Sequence, residues 1–177
     1  MIGFFCYNSI MNRALVIVDM QNFFLKNMKK ENKKQLIQNQ LLLINSCVEN
    51  NIPIIELEYA YRGENRGKTI SELHKQYIPK HTITKFDNGG FTKTDLHNQL
   101  QKLNIQEIIL IGINANGCVQ DTAIGGLNRG YKITTEKGLI ANTWSDDLHL
   151  SKSNGVWYQS KTQFFDSASE LVKYLEY

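Results

Sequence analysis

Short apolar runs rich in β-branched residues alternate along the chain with stretches whose apolar positions recur at helical spacing. The runs interpreted as strands span residues 13–19, 52–59, 81–86, 107–113, 131–136 and 156–165. Helical spacing joins Ile37, Leu41, Ile44 and Val48, and later Leu96, Leu100 and Leu103. Near-continuous apolar strands joined by helices are typical of a parallel sheet covered on both faces. The pattern predicts an α/β protein with a three-layer α/β/α Rossmann-like fold and a mainly parallel sheet of about six strands.

Three residue pairs have the spacing of a capping box, in which a Ser or Thr and an acidic residue three positions later satisfy the first backbone N–H groups of a helix. The pairs are Thr69 with Glu72, Thr92 with Asp95, and Ser167 with Glu170. Each pair predicts that a helix begins at that point.

The composition is that of a single globular domain. The chain has 177 residues, 42% hydrophobic and 21% charged, which is long enough to bury a core. The net charge of +3 is spread thinly, without a Lys/Arg cluster interleaved with aromatic residues, so nucleic acid is not a favoured partner. The longest apolar run, residues 107–113, is too short to span a bilayer. We therefore expect a soluble protein without a membrane partner.

The three cysteines, Cys6, Cys47 and Cys118, are an odd number at distant positions. Neither a disulfide framework nor a zinc spacing fits them, which favours a reducing, cytoplasmic setting. The first ten residues lack the basic start and the small-residue cleavage site of a signal peptide. We interpret residues 1–12 as an N-terminal tail or a mis-called start, and residues 13–177 as the folded domain.

Chemically useful side chains stand where three of the predicted strands end. In an open parallel sheet, ligands bind outside the carboxyl ends of the strands. Asp19 follows the first run, Lys85 ends the third, and the fourth leads through GINANG to Cys118. Each has a plainer reading: a turn cap, a solvated surface group, or a small buried hydrophobe like the one we predict for Cys47. Together they predict a carboxylate, an ammonium and a thiol on one rim.

The context of Cys118 supplies a mechanism. Gly117 precedes it at a strand-to-helix turn, and small residues follow, so the helix can pack close to the sheet. A thiol in the first helical turn faces unpaired backbone N–H groups and the positive end of the helix dipole, which lower its pKa. We expect an accessible thiolate near neutral pH, beside N–H groups able to stabilise an oxyanion.

Three other readings of the loop are disfavoured. Gly112 and Gly117 have the spacing of a phosphate-binding loop, but Cys118 and Val119 stand where Lys and Ser or Thr would be needed. A cysteine phosphatase would place an Arg six positions after its nucleophile, where this chain has Ile124. A redox dithiol would need a neighbouring cysteine.

Three motifs in order resemble the isochorismatase-like cysteine hydrolase superfamily, which includes nicotinamidases and N-carbamoylsarcosine amidases. The motifs are ALVIVDMQNFF (14–24), KFDNGGF (85–91) and LIGINANGCVQDTAIGGLNRGY (110–131). The resemblance implies that Cys118 attacks a carbonyl carbon, that Asp19 moves the proton, and that Lys85 holds the pair in a charged state. An acyl-thioester would form and then be hydrolysed.

The same resemblance implies the remaining site residues. The backbone N–H groups of Asn114 and Cys118 would form the oxyanion hole, and the Ile113–Asn114 peptide would be cis. Gln21 and Phe24 are predicted to bind substrate, Gln21 as a buttress of the rim and Phe24 as an aromatic wall.

Departures from the family pattern concern metal binding and loop flexibility. Nicotinamidases carry an Asp-x-His metal motif where this chain has Glu58 and Ala60. We therefore predict no metal and no cofactor, with Glu58 joined by His74 or His81 as the minor alternative. Gly89 and Gly90 replace the usual Ser-Ala pair, which predicts a more flexible loop beside Lys85.

Three functions remain open. The first is hydrolysis of a C–N bond in a small amide, imide or ureido compound. The second is isochorismatase-type cleavage of an enol ether, with Asp19 as the acid and no nucleophilic thiol. The third is a non-catalytic scaffold that keeps the fold. The expected partners are a small-molecule substrate and further copies of the chain, in a homodimer or larger assembly.

Overall fold

The computed structural model describes residues 11–61, 64–144 and 152–176. The strands within these ranges are β1 (Arg13–Val18), β2 (Ile54–Tyr61), β3 (Glu64–Asn65), β4 (His81–Lys85), β5 (Glu107–Ile113), β6 (Lys132–Glu136), β7 (Ile140–Ala141) and β8 (Gln163–Phe165). The helices are α1 (Asn22–Leu25), α2 (Lys30–Glu49), α3 (Ser71–His74), α4 (Leu96–Lys102), α5 (Cys118–Leu127), α6 (Lys152–Lys161) and α7 (Ala168–Leu175). The tail predicted at the N-terminus lies, for its first ten residues, outside these ranges. No helix in them is long and apolar enough to cross a membrane.

The strands form one sheet whose main path is β4-β2-β1-β5-β6-β8, with every neighbouring pair parallel. Short β7 adds a parallel pairing to the end of β5, and β3 pairs antiparallel with the end of β2. Strand β1 is central: Leu15 pairs with Ile54 on one side and with Ile109 on the other. The predicted mainly parallel sheet is confirmed.

Helices cover both faces of the sheet, because alternate side chains of each strand point to opposite sides. On one face Leu15 and Ile17 pack with α2, α3 and α7. On the other face Val16 and Val18 pack with α4, α5 and α6. The three-layer prediction is therefore correct.

The helix predicted from Ile37, Leu41, Ile44 and Val48 forms as α2, but its most buried face lies to one side of that stripe. Its buried apolar residues are Leu36, Leu43, Ile44 and Cys47. Only Ile44 belongs to the predicted stripe, and Val48 is 43% exposed. The four consecutive apolar residues at 41–44 point to all sides of the helix. The spacing of apolar residues alone therefore does not determine which side of α2 faces the sheet.

The last predicted strand is largely a helix. Residues 156–161 belong to α6, and only Gln163–Phe165 pair with β6. Tyr158 explains the choice: its ring is fully buried, and its hydroxyl donates a 2.6 Å hydrogen bond to the carbonyl oxygen of Ala115. This tertiary contact outweighs the strand propensity of the aromatic residues.

One of the three capping boxes forms. The Ser167 hydroxyl accepts a 3.3 Å hydrogen bond from the Glu170 N–H at the start of α7. The helices predicted at the other two pairs also form, as α3 and α4, but they begin after Ile70 and Asp95, and neither of these residues caps its helix through a side chain. Capping-box spacing is short enough to recur by chance in a polar chain.

Gly112 allows β5 to lie against β1 just before Asp19. Its φ is +126°, and a Cβ atom added there would lie 2.1 Å from the carbonyl oxygen of Val18. A side chain at this position would push the central strands apart at their carboxyl ends.

We expect Gly112→Ala to lower the free energy of unfolding by more than about 3 kcal/mol, from steric overlap added to backbone strain. Gly130→Ala is the matched control, because Gly130 also has a positive φ, +82°, but nothing lies within 4 Å of its added Cβ. That variant should lose only about 1 kcal/mol. Urea unfolding monitored by circular dichroism measures both, and equal losses would contradict the close-approach argument.

Candidate active site

The predicted carboxylate and ammonium meet at the carboxyl edge of the sheet. Asp19 follows β1 with a φ of 53°, and Lys85 is the last residue of β4. Nζ of Lys85 lies 2.9 Å from Oδ2 of Asp19, and the two side chains are 0% and 2% exposed. Strand β2 lies between β1 and β4, so this buried ion pair reaches across it.

Fixed dipoles complete the surroundings of Lys85. Its ammonium donates hydrogen bonds to the carbonyl oxygens of Asp87, at 3.2 Å, and Asn88, at 3.0 Å. It also lies 4.4 Å from the ring centroid of Tyr59. Asp19 faces both this ammonium and the side chain of Cys118. Its carboxylate is therefore placed to accept a proton.

Cys118 brings the thiol to this pair from the first turn of α5. Its side chain is partly exposed, it interacts with Asp19 and Lys85, and Sγ lies 3.9 Å from Oδ1 of Asn88. Behind it the helix packs closely on its neighbours: a Cβ atom on Gly126 would lie 2.7 Å from Cδ1 of Ile133. The structure thus brings together all three residues that the strand ends predicted.

The protonation state of Cys118 corrects the expectation of a thiolate near neutral pH. Burial, reinforced by the negative charge of Asp19, raises the pKa of the thiol to about 12, and the charge of Lys85 only partly opposes this. The sequence indicates that Cys118 begins a helix, but it does not show that the thiol lies close to the Asp19 carboxylate. The resting thiol is therefore neutral.

Asp19 is suited to remove that proton during a reaction. Burial raises its pKa above the ordinary value for an aspartate, against the opposing charge of Lys85. Raising the pKa makes the carboxylate a stronger base toward the adjacent thiol. The site therefore holds one mobile proton between Asp19 and Cys118, beside the charge of Lys85.

The loop between β5 and α5 presents two backbone donors. The Ile113–Asn114 peptide is cis, as the resemblance implied. Oδ1 of Asn114 accepts hydrogen bonds from the N–H and the hydroxyl of Thr143, at 2.8 and 2.9 Å, which anchors the loop to the segment after β7. Among the turn and loop backbone hydrogen bonds of the described residues, none is donated by the N–H of Asn114 or Cys118. Their role as an oxyanion hole stays a prediction.

Gln21 and Phe24 have different surroundings. The Gln21 side chain is fully buried: Oε1 accepts the Tyr59 N–H at 2.8 Å, and Nε2 donates to the carbonyl oxygens of Tyr59 and Gly67 at 3.2 and 2.6 Å. These bonds make it a brace between the end of β1 and the end of β2. Phe24 is partly buried, with its ring centroid 6.0 Å from that of Tyr59. Contact of either residue with substrate stays a prediction.

Tyr59 is the site residue that sequence reasoning missed. It pairs with Lys85 in the register of β2 and β4, and its ring stands between Lys85 and Phe24. The signal was an aromatic residue at the end of the second predicted strand. Its significance depends on β2 lying between the strands that carry Asp19 and Lys85, which the sequence order does not reveal.

The residues considered for a metal are engaged elsewhere. Glu58 accepts the Thr69 N–H at 2.9 Å and lies 3.2 Å from the Lys68 ammonium. His74 lies 2.5 Å from Glu56 instead. In the described part of the chain, no group of three or more His, Cys, Asp and Glu side chains is arranged to hold a metal ion.

The loop beside Lys85 is more tightly held than its glycines suggested. Gly90 donates its N–H to the Thr122 hydroxyl at 2.9 Å. A Cβ atom at Gly90 would lie 2.4 Å from Cδ1 of Leu57. Here glycine serves close packing, which corrects the expectation of flexibility at this position.

Comparison with known proteins gives a consistent set of relatives. A family model described as the isochorismatase domain matches residues 13–138. Isochorismatase family protein 2A from Dictyostelium discoideum is 30% identical over 159 residues, covering 83% of this chain and 77% of that protein. Nicotinamidase 3 from Arabidopsis thaliana is 24% identical over 156 residues, covering 77% and 76%. The structure of N-carbamoylsarcosine amidase from Thermoplasma acidophilum shares the fold, with a TM-score of 0.75 at 19% identity, covering 89% of this chain and 97% of that chain.

The raised pKa of the Cys118 thiol predicts a specific alkylation profile in a Cys6→Ser, Cys47→Ser background. The rate constant for iodoacetamide should rise between pH 6 and 10 without reaching a plateau. Asp19→Asn removes the negative charge that disfavours the thiolate, so the pKa should fall and the neutral-pH rate should increase. Lys85→Met removes a favourable charge and should slow the reaction. A plateau near neutral pH in the protein with Asp19 and Lys85 intact would contradict this assignment.

Proposed function

The chain belongs to the isochorismatase family of hydrolases, and from that premise we propose that it uses Cys118 to hydrolyse a C–N bond in a small amide, imide or ureido compound. The observation that carries the proposal is the buried Asp19–Lys85 ion pair beside a neutral, partly exposed thiol. Such a thiol becomes nucleophilic only as its proton leaves, and the adjacent carboxylate of Asp19 is the base positioned to take it.

The first half of the proposed reaction forms a thioester. Sγ of Cys118 attacks the carbonyl carbon while its proton moves to Asp19, and the carbonyl electrons form an oxyanion held by the N–H groups of Asn114 and Cys118. When the oxyanion collapses, the C–N bond breaks and Asp19 returns the proton to the departing nitrogen. The products of this stage are an acyl-thioester on Cys118 and a nitrogen group that departs as ammonia or an amine, or stays tethered as an amide when the substrate is a cyclic imide.

The second half regenerates the enzyme. Asp19 takes a proton from water as the water oxygen attacks the thioester carbon. Collapse of the second oxyanion breaks the C–S bond, and the proton on Asp19 returns to Sγ. One water molecule is consumed, and a carboxylic acid is released. Throughout, Lys85 offsets the negative charge that shifts between the carboxylate and the oxyanion.

The nature of the proton transfer favours C–N cleavage over enol-ether cleavage. A departing amine is a poor leaving group unless it is protonated, and Asp19 holds a proton at that stage. Two relatives, Nicotinamidase 3 and N-carbamoylsarcosine amidase, have names that point to C–N bonds. Enol-ether cleavage would need Asp19 as an acid at rest and would leave Cys118 unused.

We predict that primary amides and ureido acids include compounds that release ammonia or an amine in a coupled assay, and that cyclic imides include compounds whose ring opens to a half-amide, detected by mass spectrometry. Cys118→Ala and Asp19→Asn should each reduce kcat by about 10³-fold or more, because nucleophile and base act as one unit. A substrate-like aldehyde should form a thiohemiacetal with Cys118, detected by mass spectrometry. Glu72→Gln, at an exposed position of α3, is the control and should keep full activity.

Several results would reject the proposal. Hydrolysis that survives Cys118→Ala would rule out the thioester. Turnover of a vinyl ether, without an aldehyde adduct, would favour the isochorismatase-type reaction. Absence of any turnover or adduct would favour a scaffold.

We also propose that the protein functions as a homo-oligomer. Large aromatic side chains are exposed at the edge of the sheet that carries the site: Phe23, Tyr61, Phe86 and Trp144. They follow or end β1, β2, β4 and β7, and Trp144 and Phe86 are 68% and 58% exposed. Contact with a second copy would remove this apolar area from water.

Multi-angle light scattering at micromolar concentration should therefore give a mass of at least twice the 20.4 kDa of the chain. Trp144→Ser combined with Phe86→Ser should lower that mass. A monomeric mass for the unmodified chain would refute the proposed assembly.

A further inference from the structure

Tyr59 occupies a position that the proposed reaction has not used. The centroid of its ring lies 4.4 Å from Nζ of Lys85, within the range of a cation–π interaction. The two residues are paired in the register of adjacent strands β2 and β4. A strand pairing fixes this distance more firmly than a contact between two loops would.

Two neighbouring residues, Phe24 and Gln21, hold the ring of Tyr59 in place. The edge of the Phe24 ring packs against it, with centroids 6.0 Å apart and an interplanar angle of 73°. Gln21 binds both the N–H and the carbonyl oxygen of Tyr59. The brace formed by Gln21 therefore fixes the backbone from which the ring projects toward Lys85.

The charge of Lys85 needs a partner that does not depend on Asp19. In the resting protein, the fully buried ammonium faces the Asp19 carboxylate and two carbonyl oxygens. When Asp19 takes a proton, the negative charge moves from its carboxylate to the oxyanion at the backbone N–H groups, and the groups that contact the ammonium are then permanent dipoles. A buried ammonium whose nearest anion has been neutralised would move unless other groups hold it. The face of an aromatic ring is negative in every protonation state of the site.

We propose that Tyr59 is a positioning residue, whose ring face holds the Lys85 ammonium in place while Asp19 is protonated. This inference rests on the proposed function for its catalytic meaning, but the contact itself requires no substrate. We assign the effect to the ring. The hydrogen bonds between Gln21 and Tyr59 involve the Tyr59 backbone, so they remain when the Tyr59 side chain is replaced. Phenylalanine should therefore replace Tyr59, whereas leucine should not.

The test uses Asp19→Asn, which imitates the neutral carboxyl group, in the background that keeps Cys118 as the only cysteine. In this protein the Lys85 charge is the nearby influence that favours the Cys118 thiolate. Adding Tyr59→Leu should raise the pH midpoint of Cys118 alkylation by at least about 0.5 unit, whereas Tyr59→Phe should leave it within about 0.2 unit. Tyr61→Leu is the matched control, two positions along β2 and more exposed, and should cause no shift.

A graded series keeps the test decisive if the leucine variant folds poorly. Fluorinated phenylalanines incorporated at position 59 keep the ring shape while draining electron density from its face. The alkylation midpoint should rise with each added fluorine. In the enzyme with Asp19 intact, Tyr59→Leu should lower kcat about tenfold with little change in KM, and Tyr59→Phe should restore it.

The outcomes are separable from those of the proposed function. Equal midpoints for Phe and Leu, or no trend with fluorination, would overturn the role of Tyr59 even if the enzyme hydrolyses amides. The expected midpoint shifts would support the role even if no C–N substrate is turned over. A shift of the Phe variant as large as that of the Leu variant would assign the effect to the hydroxyl and would also overturn the proposal.

Discussion

A buried ammonium must be compensated from every side, and the carboxyl edge of this sheet is arranged around that requirement. Moving a charged group out of water is costly unless it is paired and hydrogen-bonded. Lys85 is 0% exposed and meets Asp19, two carbonyl oxygens and an aromatic face. These partners come from the ends of β1, β2 and β4. The ammonium can therefore be buried here only because these three strands are neighbours in the sheet.

The thiol adds a fourth strand to the same arrangement. Cys118 follows β5, on the opposite side of β1 from β2, and its helix approaches closely because small residues face the neighbouring elements. Asp19, at the end of the central strand, therefore lies beside both the ammonium and the thiol, which also interact with each other. This placement separates the two tasks: the proton moves between Asp19 and Cys118, while the positive charge of Lys85 stays fixed.

Sequence reasoning located this site because strand ends can be read from apolar runs, and parallel strands bring their ends to one edge. Asp19, Lys85 and Cys118 are all brought to that edge as expected. The prediction of a lowered pKa for the Cys118 thiol was wrong, because it considered only the helix start. Burial and a nearby carboxylate, whose distance the sequence does not reveal, raise that pKa. Tyr59 was missed for a related reason, since its importance follows from strand order. The phase of α2 and the helix at residues 152–161 depend on packing, which a repetitive apolar pattern leaves undetermined.

The opposite end of the sheet shows why the carboxyl edge is reactive. Glu107, at the start of β5, is as deeply buried as Lys85. Both of its carboxylate oxygens are occupied by partners from β1, β6 and α7: Arg13, Thr134 and Tyr174, with Lys132 3.5 Å away. A carboxylate saturated in this way links elements of the fold. Asp19 has a comparable charge partner in Lys85, but it also adjoins the Cys118 thiol, which carries a proton. The two buried carboxylates therefore differ less in charge pairing than in their other neighbours: structural groups surround Glu107, whereas the thiol of Cys118 adjoins Asp19.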